Sequence, residues 1–217
     1  MREHDHEPVR GLPERLPAGE ALLWQGAPRW SAIAVRVFHV RKLALYFGVL
    51  ILWRVSAGMV DGQATGALLS SALWLGGVAV AAIGVLTLLA IMTARATIYT
   101  ITDKRVVMRF GIALTMALNL PLRKIDAAAL KLHRDGTGEL ALTLANGDRI
   151  AYLHLWPHAR PWRIAHPQPM LRGLDEPERV AAILTRALAA TGGVTTTETR
   201  VASAPVVIHG ELAPAAN

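Results

Sequence analysis

The sequence contains no cysteine, which excludes disulfide bonds, thiolate metal sites and cysteine nucleophiles. Charged residues are scarce at 18%, whereas 53% of the 217 residues are hydrophobic. This apolar balance is high for a soluble globular protein. No charged residue lies between Asp61 and Arg95, so the apolar excess is concentrated in one part of the chain. A membrane component is therefore the first expectation.

The sequence also lacks a recognisable catalytic motif. His154 and His158 have the spacing of two ligands on one helix, but Pro157 would interrupt that helix. The glycine pair in residues 136–138 is not followed by the Lys-Ser/Thr of a phosphate-binding loop. Basic residues do not gather with aromatic residues on one face, as nucleic-acid binding requires. We therefore expect no enzymatic activity, no metal or other cofactor, and no nucleic-acid partner.

Two apolar stretches are long enough to cross a bilayer, which takes about 20 residues. They predict spans at about residues 38–59 and 68–92, separated by a short loop. Lysine and arginine flank the outer ends of the pair and are rare in the loop, which predicts that both termini are cytoplasmic. The residues expected at the membrane interfaces are Arg41, Lys42, Arg54 and Arg95.

Two features of these spans have alternative interpretations. Arg54 either lies along its helix with the guanidinium among the headgroups, or serves as a buried functional arginine. Gly76, Gly77 and Ala81 form a small-residue face on the second span that permits close helix approach. This face packs either against the first span or against the helix of a partner or a second copy.

After Arg95 the pattern changes to short β-branched and aromatic segments separated by turns, which predicts a β-meander. The expected strands are Thr97–Ile101, Val106–Phe110, Ala129–His133, Leu140–Leu144 and Arg149–Leu155. Residues 112–122 are interpreted as a strand or buried segment, with a re-entrant membrane element as the alternative. A helix is expected over residues 176–190, with Asp175 as its N-cap.

The most unusual composition lies in residues 155–163, which mix tryptophan, arginine and proline. Both tryptophan and arginine dominate binding hot spots, and both also suit a bilayer interface. Three uses are open: packing on the domain's own core, contact with a partner, or contact with lipid. The candidate partner-binding residues here and just beyond are Trp156, His158, Arg160, Trp162, Arg163 and Arg172.

Several segments together carry a family resemblance. Residues 98–107 (IYTITDKRVV), after a membrane hairpin and after residues 19–26 (GEALLWQG), resemble bacterial pleckstrin-homology-like (PH-like) membrane proteins. The chain further resembles the PuhB-type assembly proteins of purple-bacterial photosynthetic complexes, over nearly its whole length to about Ala190. The segments that carry this closer resemblance are residues 7–14, 119–122, 135–138 and 155–162.

The resemblance implies an α+β fold, in which a transmembrane hairpin precedes an antiparallel PH-like β-sandwich or barrel capped by a C-terminal helix. The expected organisation is an irregular arm (1–35), the hairpin (36–94), a cytoplasmic PH-like domain (95–190) and a flexible tail (191–217). Short strand pairing around Ala21–Gln25 is the alternative within the arm.

The resemblance also implies a function. It points to an assembly factor for the photosynthetic reaction centre and light-harvesting 1 complex in the bacterial inner (intracytoplasmic) membrane, with no catalytic residues. The implied partners are reaction-centre subunits, light-harvesting 1 polypeptides and membrane lipids, with a homodimer as a further option. The alternative function is a PH-like lipid-binding or general membrane scaffold without a photosynthetic partner.

Overall fold

The computed structural model describes residues 16–145, 151–161, 163, 167–191 and 196–201. Two long helices precede two β-sheets and a C-terminal helix, as the fold class predicted. The helices are α1 (Trp30–Arg36), α2 (Val40–Val60), α3 (Thr65–Ala96), α4 (Tyr152–Leu155) and α5 (Pro177–Ala190). The strands are β1 (Leu22–Gly26), β2 (Ile98–Thr102), β3 (Arg105–Phe110), β4 (Met116–Pro121), β5 (Ile125–Leu132), β6 (Gly138–Leu144), β7 (Met170–Leu174) and β8 (Thr196–Val201).

Helices α2 and α3 are long and apolar enough to cross a membrane. They contact each other as a hairpin, and large apolar side chains such as Leu73 and Trp74 stay exposed along it. Leaving such side chains in water costs roughly 1.5–3 kcal/mol each relative to burial, a cost that lipid removes. Arg54 donates from Nη2 to Oε1 of Gln63 in the connecting turn, 3.1 Å away, so its guanidinium points to that end of the hairpin. This direction agrees with the headgroup interpretation of Arg54.

The two long helices come into close contact at Gly58, a residue that was not among the sequence predictions. A Cβ atom added there would meet the side chain of Leu68 and Nη1 of Arg54. At Gly76 and Gly77, by contrast, an added Cβ would meet no atom within 4 Å. The small-residue face predicted on α3 is therefore not the surface that brings α3 against α2.

The first sheet has the order β1-β2-β3-β4, with antiparallel neighbours throughout. Strands β2 and β3 confirm the two predicted strands, and β1 confirms the alternative considered for the N-terminal arm. Arg105 on β3 holds the chain before β1 by donating from Nε and Nη2 to the Glu20 carboxylate, at 2.8 and 3.0 Å. The described part of the arm, from residue 16 onward, is thus part of the domain.

The second sheet has the order β7-β6-β5-β8, in which β8 is parallel to β5 and the other neighbours are antiparallel. Strands β5 and β6 confirm two further predicted strands. The flexible-tail prediction was wrong for Thr196–Val201, since this stretch supplies β8 along an otherwise open edge of β5. The strand predicted at 149–155 was wrong in its described part, because Tyr152–Leu155 forms the single helical turn α4. The Asn146-Gly147 turn lies outside the described residues.

Helix α5 packs a buried face of Val180, Leu184 and Leu188 into a core formed by residues of both sheets. This arrangement confirms the PH-like domain capped by a C-terminal helix. The N-cap is Glu176 rather than the predicted Asp175, and its side chain makes no capping hydrogen bond. The carboxylate of Asp175 instead pairs with Nε of Arg29, 2.7 Å away. Asp175 therefore forms an ion pair with Arg29 instead of capping helix α5.

Helix α1 corrects the prediction of an irregular arm. It packs Ile33 and Ala34 against Ala90 of α3, and it also contacts β7. Just before it, the Arg29 amide donates to the Gly173 carbonyl at 2.8 Å. Seven residues are too few for a stable isolated helix, so these tertiary contacts stabilise it. Helix α1 therefore joins the long hairpin to the β-rich domain.

Candidate functional site

The junction between α3 and the β-rich domain contains a buried polar cluster formed by Thr97, Tyr99, His158 and Arg172. Thr97 is the single residue between α3 and β2, and Tyr99 follows on β2. His158 comes from the connection after α4, and Arg172 lies on β7. These side chains join the end of a membrane-length helix to both sheets.

The donor and the acceptor can be assigned in each hydrogen bond of this cluster. The Thr97 hydroxyl donates to the Thr93 carbonyl at 2.7 Å, so its oxygen accepts from Nε2 of His158 at 3.2 Å. Nδ1 of His158 must then accept, and the Tyr99 hydroxyl donates to it at 2.8 Å. The Tyr99 oxygen in turn accepts from the Arg172 amide at 3.1 Å. This order assigns His158 as the neutral tautomer protonated at Nε2.

The electrostatics favour the same neutral state. Burial, with a smaller contribution from the nearby positive charge of Arg172, lowers the pKa of His158 to about 3. Burial also raises the pKa of the Tyr99 hydroxyl well above its ordinary value. Neither group changes protonation near neutral pH, so the cluster is a fixed structural connection rather than an acid–base site.

Burial corrects two of the predicted partner contacts. His158 is fully buried, and Arg172 is 5% exposed with its guanidinium donating to the Ala159 carbonyl at 3.0 Å. A partner cannot reach either side chain in this structure. Arg172 also lies on β7, a strand that the sequence analysis did not predict.

Two of the predicted partner-binding residues stay in accessible positions. Trp156 is 53% exposed and packs edge-on against Phe38, with ring centroids 6.1 Å apart. Phe38 lies just before α2, so Trp156 lies beside the point where the chain enters the long hairpin. Arg163 is exposed as well, whereas Trp162 lies outside the described residues. Arg160 donates from Nη1 to Oε1 of Gln168 at 2.9 Å, which fixes it to its own loop.

The residues predicted at the membrane interfaces lie at both ends of the hairpin. Arg41 and Lys42 are exposed in the first turn of α2, and Arg95 is exposed in the last turn of α3. These three share one end because α2 and α3 are joined at the other, where Arg54 lies. The β-rich domain follows α3 directly. It is therefore attached at the end of the hairpin that carries Arg41, Lys42 and Arg95.

A groove of about 760 Å³ lies at this junction, between the β1–α1 connection and the end of α3. Ile91 and Ala94 provide apolar walls and Arg95 supplies positive charge, whereas Arg29 is paired with Asp175, which also lines the groove. The sequence analysis missed the contribution of Trp30, which lines the same groove. The adjacent Arg29-Trp30 pair shortly before the first apolar stretch is the signal that could have indicated it. No group of three or more His, Asp or Glu side chains in the described part of the chain is placed to hold a metal ion.

These features define a class of protein in which a hairpin of membrane-length helices carries a PH-like domain. The chain belongs to the bacterial PH domain family, whose family model matches residues 40–188. PH-like domains are typically binding modules rather than catalysts.

The chain is also similar to a protein of Rhodobacter capsulatus named "Uncharacterized 23.7 kDa protein in puhA 5'region". The two are 39% identical over 190 residues, which cover 86% of this chain and 89% of the relative. This similarity is consistent with the PuhB-type resemblance. Among solved structures, the hSac2 domain of the human phosphoinositide phosphatase Sac2 aligns at 8% identity with a TM-score of 0.33. That alignment covers 48% of this chain and 63% of the Sac2 chain, and it is too weak to bear on function.

Proposed function

We propose that this protein is a membrane-anchored assembly factor for the photosynthetic reaction centre and its light-harvesting 1 antenna. The observation that carries the proposal is the 39% identity, over most of both chains, to a protein named for its place in the puhA 5' region. The PuhB-type resemblance of the sequence points to the same role. The absence of a catalytic motif in the sequence favours binding over catalysis.

In this proposal the long hairpin crosses the inner membrane and the PH-like domain faces the cytoplasm. Arg41, Lys42 and Arg95 at the domain end of the hairpin support this orientation, because lysine and arginine accumulate on the cytoplasmic side of short-looped membrane proteins. The α2–α3 turn at the other end then faces the periplasm.

The proposed partner surface has two parts. In the bilayer it is the face of α3 with Gly76, Gly77 and Ala81, where an approaching helix meets open space at both glycines. At the cytoplasmic end it is the exposed Trp156 with Arg163 close by in sequence.

The direct test is affinity capture of the tagged full-length chain from mild-detergent extracts of a purple bacterium that makes these complexes. Mass spectrometry of the captured material should find reaction-centre or light-harvesting 1 polypeptides enriched over capture by an unrelated tagged two-span protein. Equal recovery of these polypeptides by both baits would contradict the proposal.

The second candidate function is a lipid-binding membrane scaffold, which is favoured by the groove containing Arg29, Trp30 and Arg95. Arg95 beside apolar walls suits the phosphate and upper acyl chain of an anionic lipid, while Arg29 is already paired with Asp175. The same capture experiment separates the candidates. A lipid-binding scaffold would retain phospholipid without enriching photosynthetic polypeptides.

A further inference from the structure

The turn between β3 and β4, residues 111–115, displays apolar side chains that the domain core does not use. Leu114 is 82% exposed and Ile112 is 44% exposed, and Met116 at the start of β4 is 39% exposed. No charged residue occurs between Arg109 and Arg123. An uncharged hairpin tip with protruding aliphatic side chains is a costly surface in water.

The strand register places this tip at the end of the domain where α3 enters. Ile98, two residues after α3 ends, pairs with Arg109, and Phe110 pairs with Met116. Residues 111–115 therefore extend past the start of β2 toward α3. The side chain of Phe110 packs against the His158 ring, with centroids 5.0 Å apart, so the base of the tip rests on the buried cluster beside Thr97.

The conformation of the tip requires a glycine at position 111. Its φ of +120° is one that residues with a side chain rarely adopt, and a Cβ atom there would meet the carbonyl oxygen of Leu114. The turn is thus a tightly closed structure that presents Ile112 and Leu114 outward. Such an apolar projection suits insertion into a neighbouring apolar phase.

We propose that this tip inserts its Ile112 and Leu114 side chains into the cytoplasmic-side interface of the bilayer, next to α3. The inference rests on the membrane placement of α3 in the proposed function, but not on a photosynthetic partner. Five residues are too few to span a membrane, so the tip reaches the boundary between headgroups and acyl chains. The bilayer then holds the PH-like domain at two points, the end of α3 and the tip, which limits rotation of the domain.

The absence of cysteine permits a clean test, because a single introduced cysteine carries the only label. Full-length Leu114→Cys and, separately, Ile112→Cys carry an environment-sensitive fluorophore in vesicles of phosphatidylglycerol and phosphatidylcholine. Quenchers attached to the acyl chains report lipid contact, and aqueous iodide reports water contact. Leu73→Cys on the exposed face of α3 serves as the reference for a membrane position. Lys104→Cys, in the β2–β3 turn at the opposite end of the same strands, is the matched control.

The inference predicts that the labels at positions 112, 114 and 73 lose most of their emission to lipid-attached quenchers, while the label at 104 responds only to iodide. Quenching at 73 without quenching at 112 and 114 would overturn the inference and leave the proposed function standing. If the labels at 112 and 114 are shielded from both quenchers, a protein partner rather than lipid covers the tip. That result would also overturn the inference. No lipid quenching at 73 would overturn the membrane placement and the inference with it.

Discussion

At the scale of single residues, His158 illustrates what the sequence could and could not predict. Its neighbours Trp156 and Arg160 suggested a contact surface, yet the imidazole is fully buried. Its partners Thr97 and Tyr99 lie about 60 positions earlier in the chain. Local composition therefore indicated an unusual segment, whereas only tertiary structure separates the buried histidine from the half-exposed tryptophan beside it.

The buried histidine predicts a specific dependence of stability on pH. Because the pKa of His158 falls from an ordinary 6.5 to about 3 on folding, the unfolded chain binds more protons between these values. The free energy of unfolding should therefore fall as pH drops below 6.5, by up to about 1.4 kcal/mol per pH unit from this group. His133, whose pKa is lowered by burial and by Arg36, adds to the trend in the same direction.

Thermal unfolding of the detergent-solubilised protein at several pH values between 7.5 and 5 measures this effect. His158→Gln removes the titrating group but keeps a neutral polar side chain, so its melting temperature should fall less steeply with pH than that of the wild type. An equally steep fall in the variant would contradict the assignment of His158 as a buried neutral residue.

At the scale of secondary-structure elements, the sequence predicted those helices and strands that a local residue pattern determines. The uncharged run before Arg95 identified α3, and segments rich in β-branched and aromatic residues identified β2 and β3. Helix α1 and strand β8 were missed because long-range contacts stabilise them, through Ala90 for α1 and through the edge of β5 for β8. Of the two alternatives for the small-residue face of α3, packing against α2 was wrong, since the contact between the helices occurs at Gly58 on α2.

The close contact between α2 and α3 at Gly58 predicts opposite effects on stability for substitutions of two glycines of α2. Gly58→Leu introduces a side chain where Leu68 and Arg54 already lie, so it should destabilise the hairpin by about 1–3 kcal/mol through overpacking. Gly48→Leu is the matched control, because an added Cβ there meets no atom within 4 Å and leucine favours helix over glycine. Melting temperatures in detergent should fall for the first variant and be unchanged or higher for the second. Equal losses would indicate that α2 and α3 do not cross at Gly58.

At the scale of the whole molecule, the structure arranges three features around one end of the long hairpin. These are the exposed Trp156, the arginine-lined groove and the apolar β3–β4 tip. The buried cluster around Thr97 connects them to α3, and α1 braces the same junction through its contacts with α3 and β7. In the proposed function, this end of the molecule holds a partner at the membrane surface while the long helices meet the partner within the bilayer.

The proposed partner surface predicts a loss of assembly without a loss of folding. Trp156→Ala combined with Arg163→Ala should lower the yield of mature reaction-centre and light-harvesting 1 complex, measured by near-infrared absorption of isolated membranes. Because both side chains are exposed, the variant should accumulate to the wild-type level. Leu23→Ala, an exposed apolar position on β1, is the control and should leave the yield unchanged. A wild-type yield of mature complex in the double variant would contradict the assignment of Trp156 and Arg163 to partner binding.

The central claim is that two membrane spans place the β-rich domain on the cytoplasmic side. Single cysteines at Asp61, in the α2–α3 turn, and at Lys104, in the β2–β3 turn, test it with a membrane-impermeant maleimide. The account predicts that spheroplasts label the cysteine at position 61 but not the one at 104, and that inside-out vesicles show the reverse. Labelling of position 104 from outside intact spheroplasts would contradict the account.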